Sequence, residues 1–147
     1  MADKNNKIIV INGENAILGR LASYAAKKAL EGYTVYIVNA EKVAITGNKD
    51  DILRRYLEKI QRGDPHKGPF FPRQPHLIVR RTIRGMLPWK KKRGREAYRR
   101  VKVFIGFPEE LKKYEVVELD RKYKIEKLKI PKFIYLGELS RLIGGKW

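Results

Sequence analysis

Residues 7–38 read KIIVINGENAILGRLASYAAKKALEGYTVYIV, and this stretch predicts the fold class. Lys7 to Asn12 is an apolar run of strand length that ends in an Asn-Gly turn signal. From Ala16 to Leu30 apolar residues recur at helical spacing, and Gly32 follows as a helix stop. A second apolar run, Thr34 to Val38, comes directly afterwards. The pattern predicts two parallel strands joined by a right-handed crossover helix, the basic unit of an α/β fold.

The rest of the chain adds elements that fit one α/β domain over residues 1–147. Asn48 can cap a second amphipathic helix, which should end at Gly63. Shorter elements are predicted from local cues: strands at Val43 to Ile45 and Val101 to Ile105, a helix start at Pro108, and a last helix around Leu139, Leu142 and Ile143. Residues 114–130 fit helical and strand periods equally and receive no assignment. Neither a repeat nor a linker divides the chain.

Composition excludes several classes of protein. The chain contains no cysteine, which removes disulfides, thiolate nucleophiles and cysteine zinc sites. No apolar run approaches the roughly 18 residues that a membrane span requires, so no membrane association is expected. The amino-terminal residues resemble a first strand more than a signal peptide, which predicts an unprocessed, cytoplasmic protein. The formal net charge of +18 points instead to a polyanionic partner.

That charge is concentrated between Arg62 and Arg100, here called the basic segment. It carries 13 Lys or Arg residues against only Asp64 and Glu96, and arginines outnumber lysines by nine to four. Gly63 to Pro75 is so rich in Pro and Gly that it should be an extended excursion. Arginine suits bidentate phosphate contact and stacking on bases, so the segment predicts nucleic-acid binding, with RNA favoured because aromatic residues are interleaved. A solvated charged face and a membrane-surface helix are the competing interpretations.

A basic helix should follow the excursion. Val79, Ile83, Met86 and Leu87 fall on one face, which should pack against the core, while three arginines lie on another side. Those three are Arg80, Arg81 and Arg84. Pro88 should stop the helix, and a run of cations after Trp89 should continue to Arg100.

Other chemistry finds weaker support. The Asn12 to Asn15 turn with Gly13 and Gly19 resembles a dinucleotide-binding turn, but it lacks the three-glycine fingerprint, so Gly19 is better explained by close helix packing. No serine lies in a nucleophile-elbow context, and no catalytic residue is assigned. Asp64, His66 and His76 follow no metal-ligand spacing, and nearby cations oppose a divalent ion. The prediction is therefore no metal, no cofactor and no small-molecule substrate.

Three stretches of sequence resemble the archaeal and eukaryotic version of the ribosomal protein L13 family. This family of large-subunit proteins is universal. The three stretches are NAILGRLAS with AKKALEG at residues 15–32, VNAEKVAITG at residues 38–47, and RTIRGMLPWKKKRGREAYRRVKVFIGFPEE at residues 81–110. The resemblance implies a three-layer α/β/α fold with a small, mostly parallel four-stranded sheet and a basic insertion at about residues 63–100. It also implies a structural role in the large ribosomal subunit without catalysis. Large-subunit rRNA and neighbouring large-subunit ribosomal proteins would be the partners.

The predicted RNA-binding residues combine the family positions with the chemistry of the segment. They are Lys67, Arg73, Arg80, Arg81, Arg84, Trp89, Lys90, Lys91, Lys92, Arg93, Arg95, Arg99 and Arg100. His66, Phe70 and Phe71 lie in the excursion from Gly63 to Pro75, and the resemblance assigns them no definite contact. Two alternatives stay open: a free-standing RNA-binding regulator, which would use the same cations, and a nucleotide-binding α/β enzyme.

Overall fold

The computed structural model describes residues 7–61, 72–119, 123–125 and 132–147. Its strands and helices, in chain order, are β1 (Ile8–Asn12), α1 (Leu18–Leu30), β2 (Thr34–Val38), β3 (Ala44–Thr46), α2 (Lys49–Gln61), α3 (Pro75–Gly85), α4 (Lys92–Arg99), β4 (Val101–Val103), β5 (Val116–Val117), β6 (Phe133–Tyr135) and α5 (Leu136–Leu142). Single turns of 3-10 helix lie at Ala40–Lys42 and Glu109–Leu111. No helix within these ranges is both long and apolar enough to cross a membrane.

The β1-α1-β2 unit forms as the sequence predicts. The two strands pair in parallel from Ile8 opposite Thr34 to Asn12 opposite Val38. Helix α1 buries Leu21 and several alanines, whose small side chains let it lie close to the sheet. Gly32, with φ of 104°, takes the left-handed conformation that ends the helix.

Alternating residues of the main sheet give it two different faces. The sheet is parallel, with the spatial order β4-β2-β1-β5. Ile9, Ile11, Val35, Ile37, Val101 and Val103 belong to the large core cluster, together with buried residues of α1, α3 and α4. Val10 and Val38 instead pack with Leu111 of the second 3-10 turn and with four aromatic side chains. Helices, sheet and this covering turn form the three layers that were expected.

Two strands occupy positions other than those that periodicity suggests. The predicted third strand, β3, lies outside the main sheet and pairs antiparallel with β6, with Ala44 opposite Tyr135. Its place in the four-stranded sheet is taken by β5, from the stretch without an assignment. Two residues are too few to show a strand period, so only the partner strand β1 defines β5.

Local signals placed α1, α2, α3 and α5 well but not every residue in them, and they missed α4. The Asn48 side chain accepts a hydrogen bond from the backbone N–H of Asp50 at 2.9 Å, which confirms the cap of α2. Met86 was wrongly placed on the packed face, because α3 ends at Gly85 and leaves Met86 44% exposed. Close packing at Gly19 was also wrong, since a Cβ there would meet nothing within 4 Å.

Candidate RNA-binding surface

Helix α3 anchors the basic segment to the core. Pro75 occupies the first turn, where its missing N–H is not needed, and Ile78, Val79 and Ile83 are fully buried. The helix packs against α1 and β4. With that face buried, Arg81 is left exposed to solvent.

A tight corner then joins α3 to α4. Leu87 is buried, and the Arg95 guanidinium donates to the carbonyl oxygens of Trp89 and Lys90, both at 3.2 Å. A Cβ at Gly94 would lie against the carbonyl oxygen of Pro88 at a separation that real contacts do not reach. Only glycine at this position lets α4 approach the corner so closely.

Helix α4 was predicted only as a run of cations. Its buried side consists of Gly94 and Ala97, so no large apolar side chain marks its packed face. The three-residue spacing of these two small residues, followed by half-buried Tyr98, was the signal that could have revealed it.

Four side chains from α3, the corner and α4 stack into what we call the aromatic ladder: Arg84, Trp89, Tyr98 and Arg80. Cζ of Arg84 lies 4.3 Å from the centroid of the Trp89 ring, and Cζ of Arg80 lies 4.0 Å from that of Tyr98. The two rings meet edge to face with centroids 5.1 Å apart. Cation–π and aromatic contacts of this kind fix the angle between the two helices.

Two of the predicted RNA-binding arginines use their guanidinium groups inside the protein. Arg80 donates from Nε to the carbonyl oxygen of Val101 and from Nη1 to the hydroxyl of Tyr98, both at 3.1 Å. Arg100 donates from Nη2 to the carbonyl oxygen of Ala29 at 2.9 Å, which satisfies the carboxyl end of α1. Their donors hold elements together, and both side chains are half-buried.

The other predicted residues divide by exposure. Eight cations are exposed and form what we call the basic surface: Arg73, Arg81, Lys90, Lys91, Lys92, Arg93, Arg95 and Arg99. Arg84 and Trp89 are half-buried because each covers the other. Lys67 lies outside the described residues, as do His66, Phe70 and Phe71. Glu96 is the one acidic residue on α4, and its contact with Lys92, at 3.9 Å and exposed, is weak.

His76 is the member of the metal-site candidate that lies within the described residues. Burial lowers the pKa of His76 because it disfavours the charged imidazole, and its Nδ1 atom is buried without a hydrogen-bond partner in the described structure. Across the described ranges, no group of three or more His, Asp or Glu side chains could hold a metal ion. Asp64, like His66, falls outside those ranges.

The turn that resembles a nucleotide site is filled by the chain itself. The Asn12 side-chain oxygen accepts from the Asn39 amide and from the backbone N–H of Glu14, both at 3.0 Å. A Cβ at Gly13 would lie 2.9 Å from Val43 Cγ2 and 3.0 Å from the Val38 carbonyl oxygen. Gly13 therefore allows close packing of the chain on itself. A pyrophosphate would have to displace these contacts, which argues against the nucleotide-binding alternative.

Fold and charge together define a class of protein, an α/β domain in which one helical face carries a polycationic surface. The chain belongs to the ribosomal protein L13 family, whose model matches residues 6–110. It is 50% identical to a large ribosomal subunit protein uL13 of Methanopyrus kandleri, over 92% of this chain and 86% of that protein. The corresponding protein of Methanocaldococcus jannaschii is also 50% identical, over 94% of this chain and 98% of its own length. That of Archaeoglobus fulgidus is 49% identical over 92% and 86%.

Proposed function

We propose that this protein is a structural constituent of the large ribosomal subunit and that it binds large-subunit rRNA through the basic surface. Its partners are that rRNA and neighbouring ribosomal proteins, and no reaction is catalysed. Membership of a ribosomal protein family supports the structural role. The observation that carries the RNA contact is the set of eight exposed cations, one just before α3 and seven on α3, the corner and α4, next to a single exposed carboxylate on α4.

The contacts within the surface suggest a division of work. The aromatic ladder holds α3 and α4 at a fixed angle, and Arg100 fastens the end of α4 to α1, so the exposed cations keep a defined spacing. Trp89 then serves mainly to support Arg84, because a guanidinium already lies over its ring. A rigid array of cations can match the phosphate positions of a folded RNA, whereas a flexible one would lose entropy on binding.

Salt dependence tests the RNA contact directly. The full chain is titrated with fragments of an archaeal large-subunit rRNA at several salt concentrations. If the surface neutralises about six to ten phosphates, the binding constant should fall by orders of magnitude between low and moderate salt. A flat response would contradict the proposal.

Sedimentation tests the ribosomal placement. Tagged protein expressed in an archaeal host should sediment with the large subunit on a sucrose gradient and should stay there after a moderate salt wash. A free-standing RNA-binding regulator would also show steep salt dependence in the titration. That regulator would leave the subunit fraction in the wash, so the gradient separates the two functions.

A further inference from the structure

A second group of cations, three lysines outside the basic segment together with Arg99 at its end, lies at the edge of the sheet where the strands begin. The backbone N–H of Thr34 donates to the carbonyl oxygen of Lys7, and that of Val35 donates to the carbonyl oxygen of Arg100, both at 2.9 Å. These bonds bring the starts of β1, β2 and β4 to one edge. Because α1 runs back along the sheet, its last turn with Lys27 and Lys28 ends at the same edge.

This edge is continuous with the basic surface. Arg99 is the last residue of α4, and its neighbour Arg100 donates to the carbonyl oxygen of Ala29 in the last turn of α1. The chain of contacts therefore runs from α4 to α1 without leaving the edge. We call this group of cations the amino-terminal patch, after the amino ends of the strands beside it; it consists of Lys7, Lys27, Lys28 and Arg99.

Aromatic rings support part of the patch. The ammonium of Lys28 lies 5.6 Å from the centroid of the Tyr24 ring and 5.4 Å from that of Tyr33, and the ammonium of Lys7 lies 5.7 Å from Tyr33. Glu31 is the acidic side chain that pairs here, with Lys28 at 3.7 Å. The rings hold the lysines in place while Lys7 stays exposed.

The helix dipole favours these cations, but not all of them are neutralised within the protein. Cations in the last turn of a helix are favoured by the partial negative charge of its free carbonyls, and Lys27, Lys28 and Arg99 all lie in last turns. Arg100 caps α1 and Lys28 pairs with Glu31. The side chains of Lys27 and Arg99 are exposed, and neither side chain has an ion pair or hydrogen bond within the described residues. Their free charges are available to an outside anion.

The opposite edge differs in charge. Where the strands end, Glu14 and Glu118 are exposed, and the asparagine side chains of Asn12 and Asn39 bond to each other. Open α/β sheets usually bind ligands at that carboxyl edge. In this protein the amino edge carries Lys7, Lys27 and Arg99 exposed, whereas the carboxyl edge mixes those carboxylates with exposed Lys42.

We propose that the amino-terminal patch is a second RNA-contact site, which takes phosphates of the same RNA that binds the basic surface. The proposal rests on the proposed function, because it assigns further contacts to the same ligand. Tyr33 positions Lys7, and with the exposed side chains of Lys27 and Arg99 it can meet a phosphodiester backbone that continues around the end of α4.

The test compares two double variants that lose equal charge. K7A/K27A removes exposed cations of the patch, and K112A/K113A removes two exposed lysines beside the 3-10 turn on the other face of the sheet. Each full-length variant is titrated with the same rRNA fragments across a salt series. Because each phosphate contributes about 0.7 to 0.9 to the slope of log K against log salt, K7A/K27A should reduce the slope by about 1.4 to 1.8. K112A/K113A should leave it unchanged.

The outcomes separate the patch from the function on which it rests. Equal reductions in both variants would mean a long-range effect of net charge, and no reduction in either would mean no contact; both results overturn the patch. A wild-type protein that binds no RNA would overturn the proposed function itself. K7R/K27R keeps the charges and should retain the wild-type slope, and thermal unfolding of every variant verifies folding.

Discussion

Arginines of the basic segment differ in what their guanidinium groups bind, although they are neighbours in the sequence. Arg80 and Arg81 are adjacent, yet Arg80 bonds to Val101 and Tyr98 while Arg81 is exposed. A helix turns by about 100° per residue, so neighbouring positions face different surroundings. The same charge therefore stabilises the fold at one position and is exposed at the next, where we propose that it contacts RNA.

Replacing these two arginines singly should separate the roles. R80A leaves the carbonyl oxygen of Val101 and the hydroxyl of Tyr98 without their donor, and we expect it to lower the free energy of unfolding by about 2 kcal/mol. Urea denaturation measures this effect. The salt slope of the R80A variant for RNA binding should stay at the wild-type value.

R81A is the matched control. We expect a change in unfolding free energy within about 0.5 kcal/mol, and a salt slope reduced by about 0.7 to 0.9, the contribution of one phosphate. If R80A lowered the slope as much as R81A, the structural assignment of Arg80 would be wrong.

At the scale of elements, α4 depends on one close contact. The corner after α3 brings the carbonyl of Pro88 against Gly94, where only a hydrogen can stand. The contact is between backbone atoms, so a flexible side chain cannot move aside. It sets the position of the whole helix, and with it the cations from Lys90 to Arg99.

G94A should therefore displace α4. We expect a loss of about 2 kcal/mol of unfolding free energy from overpacking, measured by chemical denaturation, and weaker RNA binding because the cations shift. G85A is the comparison, since a Cβ there meets nothing within 4 Å. Because alanine favours helix over glycine, G85A should be neutral or stabilise by about 0.5 kcal/mol. Equal losses in the two variants would rule out a specific contact at Gly94.

At the scale of the molecule, residues far apart in sequence tie the basic segment to the core. Ser140 of α5 is fully buried, and its hydroxyl donates to the carbonyl oxygen of Arg73 at 2.5 Å. The Gln74 amide donates to the carbonyl oxygen of Lys146 at 2.9 Å. Residues of α5 and near Lys146 thus fasten the residues just before α3. Since Arg100 is fastened to α1 at the other end, the basic surface is held at both of its ends.

The chain's two serines allow a direct test of this tie. S140A leaves a carbonyl oxygen without its donor in a buried site, and we expect a loss of about 2 kcal/mol of unfolding free energy. Hydrogen exchange at the amides of Leu77 and Ile78, which donate to the carbonyl oxygen of Gln74, should become faster. S23A, on the exposed side of α1, should change the unfolding free energy by no more than about 0.5 kcal/mol and should leave the exchange at these two amides unchanged. Unchanged exchange in S140A would show that Ser140 does not hold α3.

Sequence by itself determined the β1-α1-β2 unit, the cap of α2 and the basic segment, because strand runs, helical periods and charge are local properties of neighbouring residues. The strings around residues 81–110 also carried the family. Tertiary structure decided that β3 leaves the main sheet for β6, that β5 takes the place beside β1, and that Gly94 and Ala97 hide a helix among cations. It also decided which arginines donate their hydrogen bonds within the protein, and it brought Lys7, Lys27 and Arg99 to one edge of the sheet. Apart from α4, which the spacing of Gly94 and Ala97 could have revealed, those results depend on contacts between distant residues, which no local pattern encodes.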